Sequence, residues 1–341
     1  MYAYLNFSSV SKVKKTEIKL TNNLGHSIEY SDLEMIRTIG VGSFGIVNLV
    51  KLKDSSSSKL TNTPPVTYAL KCQNKESLKK SGFLTNVQRE KEIMSEIDHP
   101  FIIRMYSEME DDENIYFLLE ALLGGELFKL LEIKGNIPED WVKFYAASVV
   151  LAFSAIHEKK IAYRDLKPEN LVLDSKGYAK VIDFGLAKRI EDGKTWTLCG
   201  TPDYMAPEVI LNEGHDWAVD YWALGILIFE MINGDPPFMS ENPMDIYKLV
   251  LSGKISFSSS FSSDVKDIIR KLLIPHQSMR LGRTLQGVDA VMKHKWFSNI
   301  RFSVLLKQRY HAPYIPTIKD AEDTSNFDNY GKDNHGTLVC S

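Results

Sequence analysis

Eight consecutive residues, Tyr163-Arg164-Asp165-Leu166-Lys167-Pro168-Glu169-Asn170, set carboxylates, cations and an amide ligand around one proline. Such a set can orient a nucleophile, neutralise charge and hold a cation, provided its side chains are fixed. Pro168 removes a backbone donor and keeps Lys167 extended, which predicts a loop and not a helix face. Short apolar runs bracket it: Ile161 before, then Leu171-Val172-Leu173 and Ala179-Lys180-Val181-Ile182, the last two joined by Asp174-Ser175-Lys176-Gly177 as a hairpin turn. The loop is pinned by strands, as chemistry with fixed side chains requires.

The elements around it read in order. Residues 1–30 mix Ser, Lys, Asn and Thr without periodicity and form a tail. Residues 33–39 and 46–52 alternate as strands around Gly40-Val41-Gly42-Ser43-Phe44-Gly45. A lone G-x-G-x-x-G is a weak signal. In a dinucleotide-binding fold it runs from strand into helix, whereas here β-branched residues follow it, which favours a strand-turn-strand flap whose amides can approach phosphates. A plain glycine hairpin has the same appearance. Residues 54–65 are a polar, proline-ended insertion, and 66–72 a third strand that contains Lys71. A helix over Leu84–Ile97 carries Val87, Ile93, Met94 and Ile97 on one face with Glu90 beside them. Taken singly, Lys71 and Glu90 are more often solvated than functional. Ile115–Glu120 is the last strand of a small lobe (31–120), and 121–125 is the boundary to a large lobe (126–297).

The large lobe reads as helical. Pro138 sits near the start of a helix that runs to His157, and 217–232 is apolar almost throughout except for Asp220 and Glu230, as in a helix buried centrally. A buried Asp220 must find donors. Shorter helices are expected near 243–251, 263–273 and 287–296, followed by a tail, 298–341, with Pro313 and Pro316.

Composition narrows the class without naming a partner. In 341 residues, 44% apolar and 25% charged with a net charge of −3, nothing favours nucleic-acid binding. Cys72, Cys199 and Cys340 are too scattered for a disulfide framework or a zinc site, which points to a reducing cytosolic or nuclear setting. No apolar run reaches the roughly 18 residues of a membrane span. Met1-Tyr2-Ala3-Tyr4 lacks the glycine that myristoylation needs, so no membrane anchor is expected.

As an ordered set, these residues resemble the eukaryotic protein kinases. The match consists of Gly40 to Val47, Ala69-Leu70-Lys71, Tyr163-Arg164-Asp165, Asn170, Asp183-Phe184-Gly185 and Ala206-Pro207-Glu208. The resemblance implies an α+β, bilobal fold: a small antiparallel sheet lobe plus one helix, a larger helical lobe, and a C-terminal tail wrapped on the small lobe. It implies ATP and Mg²⁺ as cofactors, with Lys71 on the α- and β-phosphates, Glu90 holding Lys71, Asn170 and Asp183 as magnesium ligands, Asp165 orienting the substrate hydroxyl and Lys167 facing the transferring phosphate. Ile39, Gly40, Val41, Gly42, Ser43, Phe44, Gly45, Ile46, Val47, Ala69, Glu120, Glu126 and Phe327 would complete the nucleotide site. Met94, Met105, Tyr163 and Phe184 match an apolar regulatory stack, Asp220 an anchor of the catalytic loop, and Glu208 with Arg280 a buried ion pair.

Asp165-Leu166-Lys167 and Gly200-Thr201-Pro202-Asp203-Tyr204 are similar to serine/threonine kinases. Residues 195–202 and 323–330 look like the AGC group, with the cyclic-AMP-dependent kinases most similar. By that resemblance Thr197 is an activation-loop phosphosite paired by Arg164 and Lys188, phosphorylated by an upstream kinase or by autophosphorylation. Glu126, Glu169 and Glu230 would read arginines two and three residues before the phosphoacceptor, and Leu198, Pro202 and Met205 an apolar residue after it. Trp196 and Tyr247 match contacts for a cyclic-nucleotide-binding inhibitory subunit. Cyclic-GMP-dependent kinases carry such domains in the same chain; none fits in residues 1–30, so control in trans is expected. An inactive scaffold would be expected to have lost Lys71, Asp165 or Asp183. Two departures stand out: Asn86 replaces a histidine that reaches the activation-loop phosphate, which predicts weaker coupling, and a C-terminal Phe-x-x-Phe is missing.

Overall fold

Alternation along Thr67–Asn74 sends Leu70 and Cys72 to one face of a sheet and Ala69 and Lys71 to the other, and both faces are covered. A computed structural model describes residues 28–42, 45–53, 66–191 and 193–330 of the chain. Ser43 and Phe44, the 54–65 insertion, the first 27 residues and residues 331–341 lie outside the described residues. The small lobe is a five-stranded antiparallel sheet of β1 (Leu33–Gly42), β2 (Gly45–Leu52), β3 (Thr67–Asn74), β4 (Met105–Glu110) and β5 (Asn114–Glu120), in the order β1-β2-β3-β5-β4. Its outer face packs Leu70, Cys72, Tyr116 and Leu118 under Ile28 and Leu33. Its inner face turns Ala69, Phe117 and Leu119 toward a helix and the lobe junction.

The glycine-rich turn joins strand to strand, with Gly40 opposite Val47 and Gly42 opposite Gly45, which is the flap geometry and not the strand-to-helix turn of a dinucleotide site. A Cβ at Gly45 would lie 1.8 Å from the Cys72 carbonyl oxygen, so only glycine lets β2 approach β3 there.

The small lobe holds two helices where one was expected. Short α1 (Lys75–Ser81) precedes α2 (Leu84–Glu96) because Asn74 caps the Ser77 amide at 3.0 Å and Gly82 ends the turn in left-handed geometry at φ 76°. On α2, Val87, Glu90, Ile93 and Met94 share the buried face, so Glu90 goes inward with them.

The large lobe begins with α3 (Leu127–Lys134), which periodicity alone did not mark, and is built on α4 (Glu139–Glu158). Strands β6 (Ile161–Ala162), β7 (Leu171–Leu173), β8 (Ala179–Val181) and β9 (Lys188–Arg189) frame the loop between β6 and β7. Pro168–Asn170 closes a single 3-10 turn inside that loop. The helices α5 (Pro207–Ile210), α6 (Ala218–Asn233), α7 (Pro243–Ser252) and α8 (Ser263–Leu272) follow. The expected helix over 287–296 is instead α9 (Val288–Met292) and a separate turn, Lys295–Phe297, because the His294 ring caps the Trp296 amide at 3.2 Å and starts a new element. Every residue of α6 from Ala218 to Ile232 is buried.

The tail returns to the small lobe. Thr67 donates to the Ala321 carbonyl at 2.8 Å, Lys51 pairs with Glu322 at 2.9 Å, and Asn326 donates to the Leu123 carbonyl at 3.0 Å. Gly125, at φ 80°, lets Asn326 sit against the inter-lobe linker, where a Cβ would come within 2.8 Å of the Asn326 carbonyl oxygen.

Arg280 and Glu208 form a two-pronged ion pair at 2.7 and 2.8 Å, both essentially inaccessible, and Arg280 also donates to the carbonyls of Ala218, Ile274 and Pro275. Removing one partner leaves an uncompensated buried charge. Arg280→Met is expected to cost about 3–5 kcal/mol, measured by denaturant unfolding; a loss under 1 kcal/mol would show that the pair does not brace this lobe.

Candidate active site

The chemistry-bearing residues meet where the inner face of the sheet looks down on the β6–β7 loop. From β3, the Lys71 Nζ reaches Glu90 Oε1 on α2 at 2.8 Å and Asp183 Oδ1 at 3.2 Å. Strand alternation aims Lys71 inward and the buried face of α2 supplies Glu90. Burial works against the Lys71 ammonium, but the Asp183 and Glu90 carboxylates outweigh it and leave its pKa raised, so it stays charged. Asp183, at φ 53°, has its carboxyl held below the usual range chiefly by the Lys71 ammonium, with a further hydrogen bond from the Gly185 amide at 3.1 Å.

The β6–β7 loop is fixed from beneath by a fully buried carboxylate. Asp220, near the start of α6, accepts the Tyr163 amide at 2.9 Å and the Arg164 amide at 2.8 Å, and His157 Nε2 lies 2.7 Å away. These bonds meet the demand that the sequence placed on Asp220 and hold Arg164 in left-handed geometry at φ 68°. Above this anchor, Asn170 donates to the Asp165 carbonyl and to Asp165 Oδ2, both at 2.8 Å. That orientation turns the amide oxygen of Asn170 away from Asp165. Lys167 Nζ lies 4.0 Å from Asp165 Oδ2 and donates to the Thr201 hydroxyl at 3.3 Å.

Burial pushes the Asp165 carboxyl up to about 6, with the Lys167 charge and the Asn170 hydrogen bond restraining the rise and Asp183 adding to it. A perturbed carboxyl in a cleft fits a group that must accept a hydrogen bond near neutral pH.

Beside this cluster opens a cleft of about 760 Å³ lined by Ile39, Gly40, Val47, Ala69, Lys71, Glu90, Glu120, Glu126, Asp183 and Phe327 among others. Val41, Gly42, Gly45 and Ile46 form the flap without lining it, and Ser43 and Phe44 lie outside the described residues. Met94, Ile103, Leu119, Leu122, Val172 and Ile182 also line the cleft, which sequence reading did not assign to it. Their only signal was apolarity, shared with the whole core. Tyr163 and Phe184 pack edge to face at 5.3 Å within the same core as Met94 and Met105.

Asp183 and Asn170 are two oxygen donors, and the described residues hold no cluster of three or more His, Cys, Asp or Glu fit for a metal. Two protein donors beside a phosphate-sized cleft suit Mg²⁺, which keeps waters and shares its shell with substrate phosphates.

The predicted substrate carboxylates also converge. Glu126 is pushed up first by burial and then by the Glu169 charge. Glu230 is pushed up to about 7 by burial, against the hydrogen bond it accepts from the Tyr204 hydroxyl, with Glu169, Asp203 and Asp235 adding to the rise. Leu198 is exposed while Pro202 and Met205 sit at and after the 3-10 turn that precedes α5. Thr197 and Trp196 are exposed on the same segment, and Tyr247 is half-buried on α7.

Following Asp165 by carbon-13 carboxyl NMR in the protein without nucleotide should give a midpoint near 6. Asp183→Asn removes a neighbouring charge that favours the protonated form, so it should lower that midpoint. A midpoint at the ordinary aspartate value of 3.8 would contradict the buried geometry.

Known proteins resemble this chain in sequence. A family model described as protein kinase domain matches residues 33–297. The cAMP-dependent protein kinase catalytic subunit of Dictyostelium discoideum is 43% identical over 303 residues, 89% of this chain and 45% of that protein. The human cAMP-dependent protein kinase catalytic subunit PRKX is 42% identical over 308 residues, 90% of this chain and 83% of that protein. The Drosophila melanogaster cGMP-dependent protein kinase, isozyme 2 forms cD5/T2, is 41% identical over 323 residues, 94% of this chain and 34% of that protein. The chain therefore spans less than half the length of two of these relatives and most of the third. It belongs to the protein kinase family, as a serine/threonine kinase domain of the AGC group, whose members use ATP and Mg²⁺.

Proposed function

We propose that this chain transfers the γ-phosphoryl group of ATP to serine or threonine hydroxyls in peptides with arginines two and three residues before the acceptor. The observation that carries the transfer is the shared Lys71 ammonium, 2.8 Å from Glu90 and 3.2 Å from Asp183 at the end of the cleft. A fixed cation there supports the reading that it meets the α- and β-phosphates of a nucleotide lying along the flap. Bound Mg²⁺, held by Asp183 and Asn170, supplies charge neutralisation on the phosphate oxygens.

The chain's own residues do the rest. Asp165 accepts the hydrogen bond of the substrate hydroxyl and orients it, with Asn170 fixing the carboxylate through its own donation. Lys167, tethered to Thr201, faces the transferred group and balances its charge. The hydroxyl oxygen gains the phosphoryl group, its proton leaves by way of Asp165 to solvent, and ADP departs.

Substrate choice rests on the acids. Glu126, Glu169 and Glu230 lie close enough that Glu169 raises both of the others, so the site is short of positive charge until guanidinium groups arrive. Thr197 is read as the site of a regulatory phosphate, donated from ATP by a second copy or another kinase, with Arg164 and Lys188 as its partners. Lys188 already bonds the Thr195 hydroxyl at 2.8 Å, two residues away. The named relatives respond to cyclic nucleotides, and exposed Trp196 offers an anchor for a cyclic-nucleotide-binding inhibitory subunit. Binding of such a subunit that cyclic AMP releases would support this; binding that ignores the nucleotide would remove it. A cytosolic or nuclear location is proposed on cysteine usage alone.

Asp165→Asn should lower phosphate transfer from Mg-ATP by about 100- to 10,000-fold, measured with an arginine-containing peptide; retained turnover would assign the chemistry elsewhere. Peptide-library profiling tests the acids, and selection without arginine at the two positions would sink that part. Because Glu230 binds arginine only when ionised, KM for a diarginine peptide should rise as pH falls through about 7, and Glu230→Gln should flatten that dependence. A profile unchanged by the substitution would assign the titration to another group.

A further inference from the structure

Main chain joins the two lobes in two places. The segment between α2 and β4 runs along β8, where the Ile103 amide donates to the Val181 carbonyl at 3.0 Å and the Val181 amide to the Phe101 carbonyl at 2.9 Å. The linker after β5 meets β7, where the Gly124 amide donates to the Leu173 carbonyl at 2.9 Å. Among the described residues three ion pairs also cross from lobe to lobe: Lys71 with Asp183 at 3.2 Å, Arg189 with Glu96 at 2.7 Å, and Lys180 with Glu120 at 2.6 Å. The first lies in the cleft, and on the proposed reading Lys71 turns to phosphates and Asp183 to magnesium, so it loosens as nucleotide binds. The second is open to solvent, its side chains 34% and 38% exposed, where an ion pair contributes little. Only the third is both shielded and left in place when the cleft is filled.

Glu120, the last residue of β5, gives both carboxylate oxygens to the Lys180 ammonium, at 2.6 and 2.8 Å, and accepts a longer bond from the Arg104 amide at 3.4 Å. The Lys180 side chain is 10% exposed and that of Glu120 24%. Lys180 stands on β8 two residues before Ile182, which lines the cleft, and three before Asp183. Glu120 also lines the cleft, opposite Tyr68 on β3 and therefore three positions, about 10 Å, along that strand from Lys71. Phosphates at Lys71 put the base and sugar of a nucleotide toward Glu120. The pair thus ties the roof of the cleft at its base end to the strand that leads to Asp183 at its metal end.

We propose that the Glu120–Lys180 pair is a strut across the lobe junction that sets how fast nucleotide leaves the cleft, with Lys180 a positioning residue acting through Glu120. It rests on the placement of the phosphates at Lys71 and goes beyond it. A nucleotide enclosed between the sheet and β7–β8 leaves as these surfaces part. Parting them draws β5 from β8, and stretching the pair breaks the hydrogen bonds of a buried ammonium, a costly step. Release of product is a step at which such a restraint is felt in turnover.

The test follows release of a fluorescent ADP analogue, bound with Mg²⁺ to the full chain, by stopped flow. Lys180→Met should release it about 3- to 10-fold faster than the wild type, with KM for ATP rising alongside, while Lys180→Arg should stay near the wild-type rate. Glu120→Gln should also speed release, and combining it with Lys180→Met should add nothing further, because both changes break one pair. Unchanged release in Lys180→Met overturns the strut, whatever becomes of the melting temperature. Effects that add in the double variant overturn it too, since Glu120 then acts on the nucleotide by itself. Should Lys180→Met fold poorly, Lys180→Gln, which keeps a donor for Glu120 without the charge, carries the same comparison with a smaller effect expected. Analogue binding that is indifferent to Lys71→Met overturns the placement of the phosphates, and the strut with it, an outcome distinct from an unchanged release rate.

Discussion

A buried ammonium remains charged only if carboxylates are brought to it, and the small lobe is arranged around doing so for Lys71. Glu90 reaches it from α2 at 2.8 Å and Asp183 from the segment after β8 at 3.2 Å. Three elements that are separate in the chain thereby share one proton-bearing group. If α2 rotates or shifts, Glu90 is left buried without its partner, a costly state. The position of α2 is thus written into the electrostatics of the strand beside it. Any displacement of α2 therefore alters the site.

The large lobe solves a matching problem with one carboxylate. Asp220 is inaccessible and would be expensive unpaired, and its partners are the amides of Tyr163 and Arg164. The same bonds hold Arg164 at positive φ, a conformation with an energetic penalty for a non-glycine residue. Strain in the loop and burial of the acid are therefore met together. The consequence is a rigid Asp165, whose own burial pushes its pKa up to about 6.

Sequence periodicity located what was buried on one face and failed where it was not. The strands at 33–39, 46–52, 66–72 and 115–120 and the helices containing Glu90, Trp141 and Asp220 stood out because apolar spacing matched their period. Strand β4 was missed because it is an edge strand, half-buried from Met105 to Met109, with Ser and Glu on it and no clean alternation. Helix α1 was missed because it is held by Asn74 and Gly82 at its ends and buries only Leu78. The lysine on β3 and the acid on α2 could not be distinguished from solvated charges by spacing, since their partners come from elements 19 and 112 residues away. Only the ordered resemblance across several motifs singled them out.

Glu126, Glu169 and Glu230 show what gathering like charges asks of the fold that carries them. Burial raises Glu126 and Glu230, and the Glu169 charge raises both further, so this corner is strained by its own charge. Glu230 is held by the Tyr204 hydroxyl, and Tyr204 sits in the 3-10 turn that also contains Pro202. One turn therefore both holds Glu230 in place and carries Pro202. Since Lys167 bonds Thr201 immediately before that turn, the spacing between Glu230 and Lys167 is set by a few covalently adjacent residues. On the proposed reading of these acids, substrate side chains would have to conform to that spacing, so selection would act by distance along the peptide as well as by charge.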